Sequence, residues 1–235
     1  MQTSKLIICN WKMNGNIALV DAFLNFFNDG SFGNGNLVMG FPDIFLAYAR
    51  SRSKNVKLAA QDCSVYSDFG AYTGETSAKM LNEIGVEYII IGHSERRIAK
   101  SDSSQTVYEK LKNVVQNNMT AILCVDEHYE RLLDEKTIEL LKSNPDKIIL
   151  AYEPLASIGT GVTPAISEIQ KAIDDIRGKY FNLKAIYGGS VNSKNAGEIL
   201  GVNELYGVLI GGASLKLDEM KKIIIQARGM LCSNN

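Results

Sequence analysis

Ile148-Ile149-Leu150-Ala151-Tyr152-Glu153-Pro154 is an apolar run closed by a carboxylate and a proline. An unbroken run of this length reads as a strand buried on both faces, as in a parallel sheet. Pro154 lacks the N–H that a sheet interior needs, so the strand ends there. Glu153 is left at its mouth. The loop beyond holds Gly159 and Gly161, which free a segment to swing or bring backbone against a ligand. A general base under a lid would sit in such a place. A solvated glutamate at an ordinary strand end is the plainer alternative.

Seven more runs repeat the pattern: Leu6–Cys9, Asn36–Phe41, Val56–Ala60, Tyr88–Ile91, Ala121–Val125, Leu183–Tyr187 and Gly207–Ile210. Segments with helical spacing separate them. Ile17-Ala18-Leu19-Val20 with Phe23, Leu24 and Phe27 makes one apolar stripe. Others are Val107, Leu111, Val114 and Val115; Leu132, Leu133, Leu140 and Leu141; Ile166, Ile169, Ile173 and Ile176; and Met220, Ile223 and Ile224. Runs follow one another at about 30-residue intervals, the size of a βαβ unit. Eight such units predict a single-domain (β/α)8 TIM barrel over residues 1–235, with an open doubly wound sheet as the alternative. No G-x-G-x-x-G follows the first run, which speaks against a dinucleotide-binding sheet.

Hydrophobic residues make up 46% of the 235, enough for a sizeable core, and the formal net charge is −1. That charge provides no basic field for nucleic acid or anionic lipid. Met1-Gln2-Thr3-Ser4-Lys5 does not resemble a signal peptide, and no apolar stretch spans a bilayer. A soluble, cytoplasmic protein with no nucleic-acid or membrane partner is expected. Cys9, Cys63, Cys124 and Cys232 are far apart, and His93 and His128 are the only histidines, so no metal site is expected. Cys9 and Cys124 read as core residues, Cys232 as an incidental thiol. Gln61 to Thr76, with Tyr66, Phe69 and Tyr72, is a long loop whose apolar groups suggest insertion into a partner chain.

In such barrels the loops after the strands form the active face. Past the runs stand Asn10 and Lys12, Gln61, Gly92-His93-Ser94-Glu95-Arg96-Arg97, Glu153, Gly188-Gly189-Ser190 and Gly211-Gly212. The glycine pairs each end a strand and open a helix, where bare N–H groups favour an anion. Two tight turns would leave the same trace. Lys12 is a cation able to hold a phosphate and a developing oxyanion, although most strand-end lysines are simply solvated. His93 is either a bonded core histidine or a neutral donor held so by a helix beginning at Ser94-Glu95.

Asn10-Trp11-Lys12-Met13-Asn14, Gly92 to Arg97, Ala151 to Gly161, Tyr187-Gly188-Gly189-Ser190-Val191 and Gly211-Gly212-Ala213-Ser214-Leu215 resemble, in order and nearly end to end, the triosephosphate isomerases. The resemblance implies interconversion of dihydroxyacetone phosphate and glyceraldehyde 3-phosphate without a cofactor. By it, Glu153 is the base, His93 the neutral electrophile, Lys12 the cation stabilising the enediolate and Asn10 a polar contact beside it. Glu95 is the carboxylate beside Lys12, and Gly159, Ser190, Gly211 and Gly212 grip the phosphate. The loop Gln61 to Thr76 is similar to the family's interdigitating homodimer loop.

This chain also departs from the family. Pro154-Leu155-Ala156 stands where the lid's front hinge usually has Pro-Val-Trp, and Val162-Thr163-Pro164 replaces the usual Lys-Thr-Ala at the back. Thr163 is expected to cap the next helix and Pro164 to stiffen the hinge. Altered lid kinetics with intact chemistry is the expectation. Asp126 occupies a place usually held by glycine, and the segment onward to Glu153 is shortened; no catalytic consequence is expected of either. Lys100 stands where an acidic residue is usual. Two other readings remain: an isomerase of another sugar phosphate, which would not need Lys12, His93 and Glu153 together, and a non-catalytic phosphometabolite-binding barrel, in which one of them would be substituted.

Overall fold

A computed structural model describes residues 5–28, 36–99, 102–158, 160–180 and 183–232. The strands are β1 (Leu6–Asn10), β2 (Leu37–Gly40), β3 (Lys57–Ala60), β4 (Tyr88–Ile91), β5 (Thr120–Val125), β6 (Ile148–Tyr152), β7 (Lys184–Tyr187) and β8 (Leu205–Ile210). All pair in parallel in chain order, and β8 returns to β1 through Ile8↔Leu209 and Cys9↔Ile210, so the sheet is a closed barrel. That closure excludes the open sheet. The helices are α1 (Ile17–Phe27), α2 (Asp43–Arg52), α3 (Ala78–Glu83), α4 (Ser94–Ala99), α5 (Ser104–Gln116), α6 (Glu135–Ser143), α7 (Ile166–Lys179), α8 (Ala196–Leu200) and α9 (Leu217–Cys232).

Alternation along the strands sorts the core into two layers. Leu6, Ile8, Val38, Ala59, Ile90, Ile122, Cys124, Ile149, Ala151, Ile186 and Leu209 form one buried cluster made almost wholly of strand residues, the barrel interior. The intervening positions, such as Ile7, Cys9, Leu123 and Leu150, join Phe23, Leu24, Leu111, Ile169 and Ile173 of the helices in the other. Each fully buried Leu or Ile contributes about 1.5–3 kcal/mol. Extending the inward register past the strand ends brings Asn10, Asp126, Glu153, Gly188 and Gly211 to one mouth. The interior packing therefore aims the chemistry.

Two sequence readings need adjustment. The eighth strand begins at Leu205, two residues before the expected Gly207, because Tyr206 is half-exposed and sits where the β7–β8 register shifts. Leu132 and Leu133 do not share a helix with Leu140 and Leu141. They follow a short turn at Tyr129–Arg131, and Asp134 caps α6 by accepting the Thr137 N–H at 2.9 Å. Cys9, Cys63 and Cys124 are buried free thiols; the expectation for Cys232 concerns a side chain outside the described residues, as does Lys100.

Candidate active site

At the end of β1 the Asn10 carboxamide turns inward, and its Oδ1 accepts the Lys12 backbone N–H at 3.0 Å. That bond supports a left-handed backbone at Lys12, φ +55°, which costs a non-glycine residue about 1 kcal/mol or more. The Lys12 ammonium then reaches Glu95 Oε1 at 2.6 Å. Trp11 is fully buried against Phe23 and Phe41 and donates Nε1–H to Ser214 O at 3.0 Å. This ties the first strand's mouth to the turn Gly212–Leu215 after β8.

Gly92, φ +70°, makes the turn after β4 that a side chain would resist. His93 follows and is buried. Its Nδ1 accepts the Glu95 N–H at 3.2 Å at the start of α4, so the remaining proton of a neutral ring is on Nε2. Burial, then the Lys12 cation, hold the imidazole well below its usual pKa and keep it uncharged, with Glu95 opposing. Nε2 lies 3.4 Å from Glu153 Oε1.

Glu153 is 1% exposed, and its Oε2 has no hydrogen-bond partner. Burial lifts its pKa to about 8, while the Cys124 thiol and the Lys12 cation offset part of that rise. A buried carboxylate with a free oxygen is a strong, dry base. Gly188 is required beside it, since a β-carbon there would lie 2.7 Å from Glu153 Cγ.

These groups line one cavity of about 320 Å³, shared by Asn10, Lys12, His93 and Glu153 with Gly188, Gly189, Ser190, Gly211 and Gly212. Of the residues expected at the site, eight of the nine are described: Glu95 stands behind Lys12, and the rest line the cavity. Gly159 lies outside the described residues. Gln61 does not line the cavity, because its amide is engaged with Gly40 O at 3.0 Å.

At both ends of the expected lid the structure shows bonds that the sequence did not indicate. At the front, Glu127 Oε2 accepts the Leu155 N–H at 3.1 Å. At the back, Thr163 does not cap α7. Its hydroxyl donates to Ser190 O at 3.1 Å and accepts from Asn195 Nδ2 at 2.9 Å. The Ala165 N–H is taken by Glu168 Oε2 at 2.9 Å instead. Ser190 bridges the two halves of the lid, donating to Ser157 O at 2.7 Å and accepting from Gly161 N at 3.1 Å. Sequence reasoning missed Glu127 and Asn195. Asp126, of which no catalytic consequence was expected, is buried and pairs with Arg97 Nη1 at 2.8 Å; the inward step from Ile122 and Cys124 could have signalled its burial.

With this geometry established, comparison with known proteins is specific. The triosephosphate isomerase family model matches residues 5–227. The chain is 40% identical to a triosephosphate isomerase of Buchnera aphidicola subsp. Schizaphis graminum, over 94% of this chain and 96% of that one. It is 34% identical to a triosephosphate isomerase of Francisella tularensis subsp. novicida, over 95% of this chain and 97% of that one. A third, from Francisella philomiragia, is 33% identical over the same shares.

Proposed function

The chain belongs to the triosephosphate isomerase family, and we propose that it interconverts dihydroxyacetone phosphate and D-glyceraldehyde 3-phosphate. The observation that carries this reading is the facing pair, His93 Nε2 3.4 Å from Glu153 Oε1, at the rim of a glycine-lined cavity. Glu153 removes a proton from the carbon next to the carbonyl, and that C–H electron pair forms the double bond of an enediolate. His93, neutral with its proton on Nε2, donates to the oxygen where charge develops, and the Lys12 ammonium stabilises the same charge. Return of the proton to the neighbouring carbon completes the exchange, so no cofactor is needed. Gly211 and Gly212 offer backbone N–H groups to the phosphate, with Ser190 lining the same cavity; the resemblance adds Gly159 to this grip. A cavity near the small end of ligand-site volumes fits a three-carbon phosphate better than a larger sugar.

The chain forms one barrel domain over residues 1–235, and its loop Gln61 to Thr76 makes a homodimer. Phe69 is 61% exposed, and Tyr66 and Tyr72 stack with ring centroids 3.4 Å apart. Ser64 N donates to Thr76 O at 2.8 Å, closing the loop at its base. A preformed loop presenting partly exposed aromatics supports insertion into a second copy. No helix among the described residues is long and apolar enough to cross a membrane, and the free thiols suit a cytoplasmic location.

A coupled assay with glyceraldehyde 3-phosphate tests the reaction. Glu153→Gln should lose at least about 10³-fold in kcat, while glycerol 3-phosphate still binds. Turnover retained in Glu153→Gln would remove the assignment of the base, and an inactive wild type that binds the ester would favour a binding barrel.

A further inference from the structure

Arg97 is the second cation beside the proposed proton-transfer pair. Its Nε donates to Gly92 O at 2.9 Å, the residue just before His93, and its Nη1 donates to Asp126 Oδ2 at 2.8 Å. Asp126 is held in turn, its Oδ1 accepting the His128 N–H at 2.7 Å. The guanidinium thus bridges the turn after β4 and the end of β5, and the Asp126 side chain is only 6% exposed. Lys12 is matched by Glu95; Arg97 is matched by Asp126, a carboxylate standing where the family usually has none.

We propose that Asp126 is a positioning residue for the isomerisation: it pins the Arg97 guanidinium next to His93 and cancels its charge, and so sets the pH above which Glu153 works as a base. The inference rests on the reading of Glu153 as that base. The charged and titratable groups around Glu153 are Lys12 past β1, His93 past β4, Glu95 and Arg97 on α4, and Cys124 on β5. The ends of β7 and β8 bring Gly188 and Gly211 to this point, and beyond β8 the charged Lys216 and Glu219 line the same cavity; both are unchanged in every variant compared below. Arg97 favours the anionic form of Glu153 and the neutral form of His93. An unmatched cation there would deprotonate the carboxyl too readily and leave a weaker base. A glycine at position 126 would leave Arg97 without this partner.

The test is the pH dependence of kcat/KM for wild type, Asp126→Asn and the double variant Asp126→Asn/Arg97→Gln, with thermal unfolding followed in parallel. The substrate's own phosphate ionisation is common to all three and cancels in the comparison. Asp126→Asn keeps an acceptor for Arg97 but removes the charge, so its acidic limb should move down by about 0.5 to 1 pH unit. The double variant has neither charge, and its limb should return to within about 0.3 pH unit of wild type. A folded Asp126→Asn protein with an unmoved limb would overturn the proposal, as would a double variant displaced as far as the single one. Should Asp126→Asn not fold, Arg97→Gln carries the question with the opposite sign: its limb must move up, and an unmoved or lowered limb is a refutation. A wild type without isomerase activity would instead defeat the functional reading on which this rests.

Discussion

Replacing Glu153 with glutamine exchanges a buried carboxyl for a neutral group of the same shape, and the effect on stability must depend on pH. Burial raises this carboxyl's pKa from 4.5 to about 8 in the folded protein, with the Cys124 thiol and the Lys12 and Arg97 cations opposing. Between those values the folded protein keeps a proton that the unfolded chain has released. Wild-type stability therefore falls as pH rises from about 4.5 to about 8 and is level above that. At about 1.4 kcal/mol per pH unit, the rise from 4.5 to about 8 sets a ceiling of roughly 5 kcal/mol. Relaxation of the site and entry of water leave about a few kcal/mol of such a penalty. Glutamine does not ionise, so the variant lacks this slope. Urea unfolding of both proteins at pH 5 and pH 8.5, at one protein concentration, reads the difference directly. Near pH 5 the two curves should almost coincide; at pH 8.5 Glu153→Gln should be more stable by about 1–3 kcal/mol. The same difference at both pH values would refute the reasoning, because it would mean that the carboxyl ionises as readily folded as unfolded.

Gly188→Ala, whose new methyl would sit 2.7 Å from Glu153 Cγ, should displace the base and lower kcat by about 10²-fold. Gly212→Ala meets nothing within 4 Å, so its melting temperature should hardly move while KM rises about tenfold as the phosphate cleft fills. Steady-state kinetics and calorimetry on the two separate these effects. Ala156→Trp should change lid opening and closing and the loss of phosphate to solvent with the proton-transfer roles untouched, since the front hinge now depends on the Glu127–Leu155 bond; equal turnover and equal phosphate release in both proteins would count against it. Phe69→Asp, at an exposed ring on the loop, should shift the protein toward monomer in sedimentation with an unchanged barrel spectrum.

The strands were legible because a barrel buries them on both faces, so each appears as an apolar run needing no partner to interpret it. β8 was cut short because its first pair straddles a register shift that only β7 reveals. The Asp134 cap was legible in principle, since an Asp three residues ahead of Thr137 is a local signal. Glycine pairs and Glu153 could be placed because strand mouths converge in this architecture. What could not be read were the bonds crossing between loops: Glu127 to Leu155, Asn195 to Thr163, Arg97 to Asp126. Such pairings depend on which loops meet above the barrel, and no local periodicity records that. Thr163 illustrates the cost: a hydroxyl beside a helix start reads as a cap until a second loop arrives to claim it.

The bond from Trp11 to the Ser214 carbonyl joins residues from opposite ends of the chain, and β1 finds its second neighbour only in β8. A ribosome delivers those partners after the other seven strands. Until then the Trp11 indole lacks its Ser214 partner and the sheet is an unsealed cylinder, its first strand open along one side. A nascent chain is therefore expected to stay catalytically silent until β8 has been made, and one halted before β8 would expose an edge for chaperones to shield.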